Sequence, residues 1–237
     1  MPVRAITFDF WMTLFQEQHR KERHHYRVDA FCRATGAPWD EASAALQSAH
    51  DYFFYIHDRE QRTLMPRDAV DMVCDALSIT MDPEEADAMA EIFGTAIHVF
   101  PPTPVPGALE AVSAAAARVP IGIISDSGMS PGTSLRKLLD DHGFTPHFSA
   151  LTFSDEVGVA KPQAPMFKRT AAALKVAPSE LLHVGDLEPT DIAGVQAVGG
   201  VGALFAGANP RFAAETRAEH TFYRWDEFLV ALPALIG

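Results

Sequence analysis

Four prolines fall within residues 101–106 of the 237-residue chain, in Phe100-Pro-Pro-Thr-Pro-Val-Pro106-Gly107. Proline lacks the amide a helix needs and its ring clashes with the turn before it, so no helix continues through this stretch. The two sides of the break differ in pattern. On the C-terminal side short apolar runs alternate with amphipathic helical segments, whereas about 85 residues before it read as helical throughout. The fold has to accommodate both regimes.

Ahead of the helical stretch, Val3-Arg-Ala-Ile-Thr-Phe8 is a short apolar run that reads as a buried strand. It ends at Asp9, with Thr13 four residues on. Val28, Phe31, Cys32 and Thr35 then mark one face of a first helix, closed by Gly36. Pro38 and Asp40 open a second, whose stripe is Trp39, Ala42, Leu46, Ala49, Phe53 and Ile56. A third spans 66–77. Asp82-Pro83-Glu84-Glu85 opens a fourth, with proline at the first helical position and Met89, Ala90, Phe93 and Ile97 inward. Four such helices with short links predict a helical bundle.

Beyond the prolines the pattern predicts helix 108–117, strand 120–124 ending at Ser125, helix 134–142, strand 150–153 and helix 163–174. Strand 181–184 ending at Gly185-Asp186, helix 191–198, strand 201–205 and helix 225–235 follow. This order predicts an α/β fold: a Rossmann-like, doubly wound parallel sheet with helices on both faces and the bundle inserted after the first strand. The core then comprises 1–15 and 103–237, and the insertion 16–102.

Nineteen basic against 31 acidic residues give a formal net charge of −12. Nucleic acid is therefore not expected as a partner, and an anionic substrate would need a bound cation or local positive groups. No apolar run approaches the ~18 residues of a membrane span. Asp9 interrupts any leader-like pattern at the N-terminus, so the expectation is a cytoplasmic protein with no membrane partner. Cys32 and Cys74 are unclustered and suggest neither a disulfide nor a zinc site.

Asp9, Ser125 and Asp186 stand at predicted strand ends, which parallel strands bring to one edge of a sheet. Lys161 lies in Asp155-Glu-Val-Gly-Val-Ala-Lys161-Pro162 after another strand, where Pro162 is expected to hold the loop extended. Singly, each has an ordinary reading: a turn serine, a solvated lysine, acids at helix starts, with capping the ordinary role of Asp191. Their joint occurrence at successive strand ends is what those readings leave unexplained.

On Asp9-Phe-Trp-Met-Thr13, Ser125, Lys161-Pro162 and Gly185-Asp186-Leu-Glu-Pro-Thr-Asp191, in that order, the chain resembles the haloacid dehalogenase superfamily with a C1-type helical cap. The resemblance implies that Asp9 is a nucleophile forming an aspartyl intermediate, splitting one difficult displacement into two easier ones. It implies that Ser125 and the backbone N–H groups after it hold phosphate oxygens, with Asp126 alongside. Lys161 would offset the charge of nucleophile and substrate. Asp186, Asp9 and the backbone carbonyl of Trp11 would hold Mg²⁺, an oxygen-seeking ion, with Asp191 a second acidic group of that metal site. Thr13 would position the nucleophile. The implied substrate is a small phosphorylated molecule chosen by the cap, and the implied assembly a monomer or homodimer.

The chain departs from the family pattern at Trp11. Phosphatases that this chain resembles carry a second Asp there, which protonates the leaving alkoxide and then activates water. Tryptophan transfers no proton, and a missing general acid/base costs ~10²–10⁴-fold. Four readings follow. A phosphohydrolase could act where no proton is needed, favouring acyl phosphates or anhydrides over alkyl esters. It could borrow a donor from the cap, where Tyr26, His50, Tyr55 and His57 are available. The chain could be a metal-independent 2-haloacid dehalogenase, or a phosphoryl-ligand-binding protein with little turnover. Retention of Gly185, Asp186 and Asp191 ranks metal-assisted phosphoryl transfer first, dehalogenation second and binding third.

Three features stay open. Ser125-Asp126-Ser127-Gly128-Met-Ser-Pro131-Gly132 reads as a loop approaching substrate closely or as a plain connection. The basic run His19–Arg27 either meets an anionic tail or is a solvated helix face. Tyr52, Phe53, Phe54 and Tyr55 exceed what one stripe buries, so Phe54 and Tyr55 either line the cleft or a dimer contact or join the core.

Overall fold

The computed structural model describes residues 2–237, apart from the side chain of Asp58. In chain order the elements are β1 (Ala5–Phe8), β2 (Phe15–Gln16), α1 (Arg20–Thr35), α2 (Trp39–Glu60), α3 (Pro66–Leu77) and α4 (Pro83–Val99). Then come β3 (Thr103–Pro104), α5 (Ala108–Ala116), β4 (Ile121–Ser125), α6 (Gly132–Asp141), β5 (Ala150–Phe153) and α7 (Ser154–Val157). The chain finishes with α8 (Ala164–Ala173), β6 (Leu181–Gly185), α9 (Ala193–Ala197), β7 (Val201–Phe205), β8 (His220–Phe222) and α10 (Trp225–Leu235).

Six strands form one parallel sheet in the order β5-β4-β1-β6-β7-β8. A strand covered on both faces must be apolar along its length, as β1, β4 and β6 largely are. On one face Phe8 packs against Trp225 at 5.8 Å and Phe228 at 6.0 Å between ring centres. On the other, Met166, Phe167, Leu174 and Val195 cover Ala5 and Ile124. The chain steps outward from β1 to β4 and β5 and then crosses to β6 on the other side of β1, so the strand order reverses there and the ends of β4, β1 and β6 form the crevice where such sheets bind ligands.

Helices α1–α4 enclose a second core that includes Phe31, Leu46, Val70, Val73 and Phe93. Gly36 ends α1 at φ 75°, a left-handed turn in which its N–H reaches the Cys32 carbonyl at 2.8 Å. Pro66 opens α3, and Asp68 accepts the Met65 N–H at 2.6 Å. The chain enters the bundle through β2 and returns through β3, and these two strands pair antiparallel, Phe15 with Pro104 and Gln16 with Thr103. Among the described residues no helix is long and apolar enough to cross a membrane.

Several expectations are corrected. Trp39 does not begin the α2 stripe; it is 40% exposed and donates to Asp29 Oδ1 at 2.8 Å, because at the first helical residue it overhangs the bundle. Pro162 follows Lys161 through a cis peptide within a turn rather than an extended approach. The basic run divides by helix face. Arg23 and Arg27 are buried, Arg23 pairing with Glu17 and donating to the Phe100 carbonyl at 2.8 Å, Arg27 donating to the Phe93 carbonyl at 2.9 Å. His19, Arg20 and Lys21 are exposed. Phe54 and Tyr55 are exposed too, Phe54 beneath the Arg20 guanidinium at 5.1 Å. Core packing is thus not their role.

Candidate functional site

The site grows from the end of β1. Asp9 still donates its N–H to the Val184 carbonyl at 2.8 Å, so its side chain leaves the sheet in register with β6. It is only 5% exposed, and burying a carboxylate requires a partner. Lys161 is that partner: its Nζ donates to Asp9 Oδ1 at 2.7 Å and to Asp191 Oδ1 at 2.6 Å. Asp191 is fully buried, accepts the Leu187 N–H on Oδ2 at 2.9 Å, and meets His183 Nε2 on Oδ1 at 3.1 Å. His183 Nδ1 in turn lies 2.9 Å from Thr7 Oγ1.

Thr7 and His183 escaped the sequence reading. They are register partners on β1 and β6, and a polar residue inside an otherwise apolar strand was the available signal. Asn209, which donates to Asp186 Oδ2 at 2.6 Å, carried no such signal because it lies in a loop beyond β7.

Asp9, Asp186 and Asp191, all buried, offer carboxylate oxygens that lie within 4.8 Å of one another. Three carboxylates face one ammonium. Burial raises the Asp9 carboxyl above its usual range, with Lys161 opposing and Asp191 reinforcing the rise. Asp186 is pushed up to about 8, first by burial and then by the charges of Asp191 and Asp9. Burial would raise Asp191 as well, but Lys161 and His183 hold it below the carboxylate range. Burial works against the Lys161 ammonium, and the carboxylates around it overcome that and raise its pKa. The cluster is short of positive charge, chiefly at Asp186. An all-oxygen donor set with surplus negative charge fits a hard divalent cation.

The remaining predicted residues lie at the end of β4 and on the segments that follow β1 and β4. Ser125 is buried at the end of β4, with its hydroxyl 3.4 Å from the Asp126 carbonyl. Thr13 is buried, and its Oγ1 has no hydrogen-bond partner among the described residues. Trp11 packs edge-on against Phe10 at 5.0 Å, which stacks on Phe15 at 4.4 Å. The indole thus supports the core. Asp126 Oδ1 accepts the Lys161 backbone N–H at 2.9 Å, while Oδ2 lies 3.6 Å from His57 Nε2 of α2. Its carboxyl is pushed up to about 6 by burial, against the pull of Lys161 and His57.

The loop after Ser125 is fastened in place. Ser127 donates its hydroxyl to Asp155 Oδ1 at 2.6 Å and its N–H to Ser154 Oγ at 2.9 Å, and Gly132 donates to Asp155 Oδ2 at 3.0 Å. The bundle closes over it: the Gln61 carbonyl accepts from the Ala160 N–H at 2.8 Å and from Gln163 Nε2 at 2.9 Å. Ser134 also donates to the Gly94 carbonyl at 2.9 Å.

Gly185 has no room for a side chain, since a Cβ there would lie 2.2 Å from Asp191 Cγ. Gly185→Ala is therefore expected to cost about 1–3 kcal/mol and to displace Asp191 from Lys161. Urea unfolding and activity should fall together; unchanged activity would show that Asp191 has slack.

The haloacid dehalogenase-like hydrolase profile matches residues 3–199. A phosphoserine phosphatase of Thermus thermophilus is 32% identical over 117 residues, 49% of this chain and 45% of that protein. The pyrimidine 5'-nucleotidase YjjG of Escherichia coli K12 is 38% identical over 112 residues, 46% of this chain and 43% of that one. The matched stretch thus spans less than half the length of either relative. An HAD phosphatase of Thermococcus onnurineus has a similar fold, with TM-score 0.71 and 19% identity over 99% of this chain and 100% of that one. So has a 2-haloacid dehalogenase of Pseudomonas syringae pv. Tomato DC3000, with TM-score 0.71 and 19% identity over 98% and 99%. Fold alone does not separate the two chemistries.

Proposed function

Because the chain belongs to the haloacid dehalogenase-like hydrolases, we propose that it is a Mg²⁺-dependent phosphohydrolase acting on a small phosphorylated metabolite through an aspartyl-phosphate intermediate. The observation that carries this reading is the sealed cluster in which Lys161 bridges Asp9 and Asp191 while Asp186 is left short of positive charge. In this reading residues 16–102 are a cap over a catalytic core of 1–15 and 103–237.

Asp9 attacks phosphorus, and Lys161 holds the attacking carboxylate and takes up charge on the phosphoryl oxygens. Ser125 and the unpartnered Thr13 hydroxyl orient those oxygens and the nucleophile. Asp9, Asp186 and the Trp11 backbone carbonyl would hold the cation, with Asp191 a further acidic group of that site that also fixes Lys161. When bound, Mg²⁺ would polarise the phosphoryl group as a Lewis acid. The cap shields the reacting groups from bulk solvent and leaves room for the one water that hydrolyses the intermediate.

Trp11 favours a second reading, dehalogenation, because a halide leaves unprotonated. Phosphate release from a substrate panel with Mg²⁺ and with chelator, beside halide release from a 2-haloacid, decides between them. Mg²⁺-dependent phosphate release is expected. Metal-independent halide release without phosphate release would reverse the assignment.

The raised carboxyls also set a pH dependence. Asp186, at about 8, and Asp126, at about 6, both lie above the ~3.9 of an unfolded aspartate, so the folded chain binds more protons. Stability of the metal-free protein is therefore fullest below about pH 4 on this account and declines as pH rises through about 6 and then 8. Asp191, being lowered, adds the opposite loss only in strong acid. Melting curves in chelator should show a lower Tm at about pH 8 than at about pH 5.5, and Mg²⁺ should raise Tm more at the higher pH. A Mg²⁺ effect independent of pH would count against Asp186 as a ligand.

A further inference from the structure

We propose that His57, reaching from the cap and held by Asp126, is the proton donor to the leaving oxygen, the task Trp11 cannot perform. The inference rests on the phosphohydrolase reading and names a further catalytic residue for it.

Four cap side chains could carry a proton, and the structure separates them. Tyr26 lies edge-on to Phe100 at 6.2 Å. Tyr55 is exposed and stacks on Tyr52 at 6.3 Å. His50 packs beside His24 at 6.0 Å, and burial, then Arg27 and His24, drive its imidazole down to about 3. It stays neutral at physiological pH. His57 is the one of the four that meets a residue of the site, with Nε2 3.6 Å from Asp126 Oδ2.

The sequence builds this contact from both sides. Asp126 directly follows Ser125, and the Lys161 N–H fixes its Oδ1, leaving Oδ2 to face the cap. On α2, His57 stands one turn beyond Phe53, and residues four apart share a helix face. The Phe53 ring comes within 3.9 Å of where a Cβ on Gly128 would stand, so this face of α2 lies over the loop that follows Ser125. His57 also sits in the last turn of α2, one turn before Gln61, whose carbonyl ties this end of the helix to the core. Its side chain keeps 29% exposure, while Asp9 and Lys161 are sealed. The charged groups facing Asp126 are Lys161, His57 and Asp9.

Asp126 holds Nε2, so the proton leaves from Nδ1. In the first half an Asp9 oxygen forms a bond to phosphorus as the bond from phosphorus to the leaving oxygen breaks. That oxygen takes the bonding pair and the His57 proton, and departs as an alcohol. In the second half neutral His57 takes a proton from water as the water oxygen attacks phosphorus. The bond between phosphorus and Asp9 breaks, its pair returns to the carboxylate, and inorganic phosphate leaves with the imidazolium restored. Asp126 is a positioning residue throughout.

The test compares wild type, His57→Gln and Asp126→Asn, with Mg²⁺, on an alkyl phosphoester series and on acetyl phosphate, whose leaving group needs no proton. His57→Gln is expected to lose ~10²–10⁴-fold in kcat/KM on the alkyl esters and less than about tenfold on acetyl phosphate. The alkaline limb of the wild-type pH profile should vanish for the esters in His57→Gln and shift in Asp126→Asn. Acetyl phosphate turnover reports that each variant is folded. Equal losses on both classes would reduce His57 to a cap contact and overturn the inference, as would no loss on either. A wild type inactive on both classes would instead bring down the phosphohydrolase reading, and the inference with it.

Discussion

Asp9→Asn is expected to lower phosphate release by on the order of 10⁴-fold or more while leaving the chain folded. An amide occupies the same space but cannot form the acyl-phosphate bond. The fold should not suffer, because Lys161 keeps Asp191 at 2.6 Å and the cost of burying the Asp9 charge disappears. A Tm equal to or above that of the wild type, with no phosphate release, is the expected pair of results. If a tenth of the activity survived, another group would have to be the nucleophile.

Lys161→Met has the second large effect, and unlike the first it falls on stability as well as activity. The substitution leaves Asp9 and Asp191 buried together with no ammonium between them. Breaking a buried pair by removing one partner costs about 3–5 kcal/mol, far more than the loss of a solvent-screened surface pair. The main-chain hydrogen bond from residue 161 to Asp126 survives the change, so the loop itself is not undone. Without Lys161 both carboxyls titrate higher, so the variant should recover part of its lost stability as pH falls and they take up protons. Urea unfolding at about pH 7 and about pH 5 measures this. A loss under ~1 kcal/mol at neutral pH would mean that the pair is effectively solvated.

How far the site could be read in advance depends on where each residue's partners lie in the chain. Lys161 was legible as a charge following a strand. That it binds two carboxylates at once was not, because Asp191 reaches it only through the wide helical turn Glu188–Ile192 that precedes α9. The capping role expected of Asp191 is half present: Oδ2 does take the Leu187 N–H, and Oδ1 turns into the cluster. The paired linkers β2 and β3, the short α7 and the edge strand β8 are only two to four residues each, too few for any periodicity to register. The basic run at the start of α1 showed charge without showing face, and its buried half, Arg23 and Arg27, serves the bundle's own backbone.

By itself the sequence determined the order of the longer strands and helices, the break at the prolines and the placing of Asp9, Ser125 and Asp186 at strand ends. Each of these is a local property, fixed by the spacing of apolar residues and by what proline and a terminal carboxylate can do. Only the tertiary structure decided which charges share the buried cluster, that Trp11 packs against the core, and that His57 rather than His50 or a tyrosine stands beside Asp126. Periodicity tells which face of an element turns inward. It does not tell what meets that face, because strand register and helix packing are settled by the whole core at once.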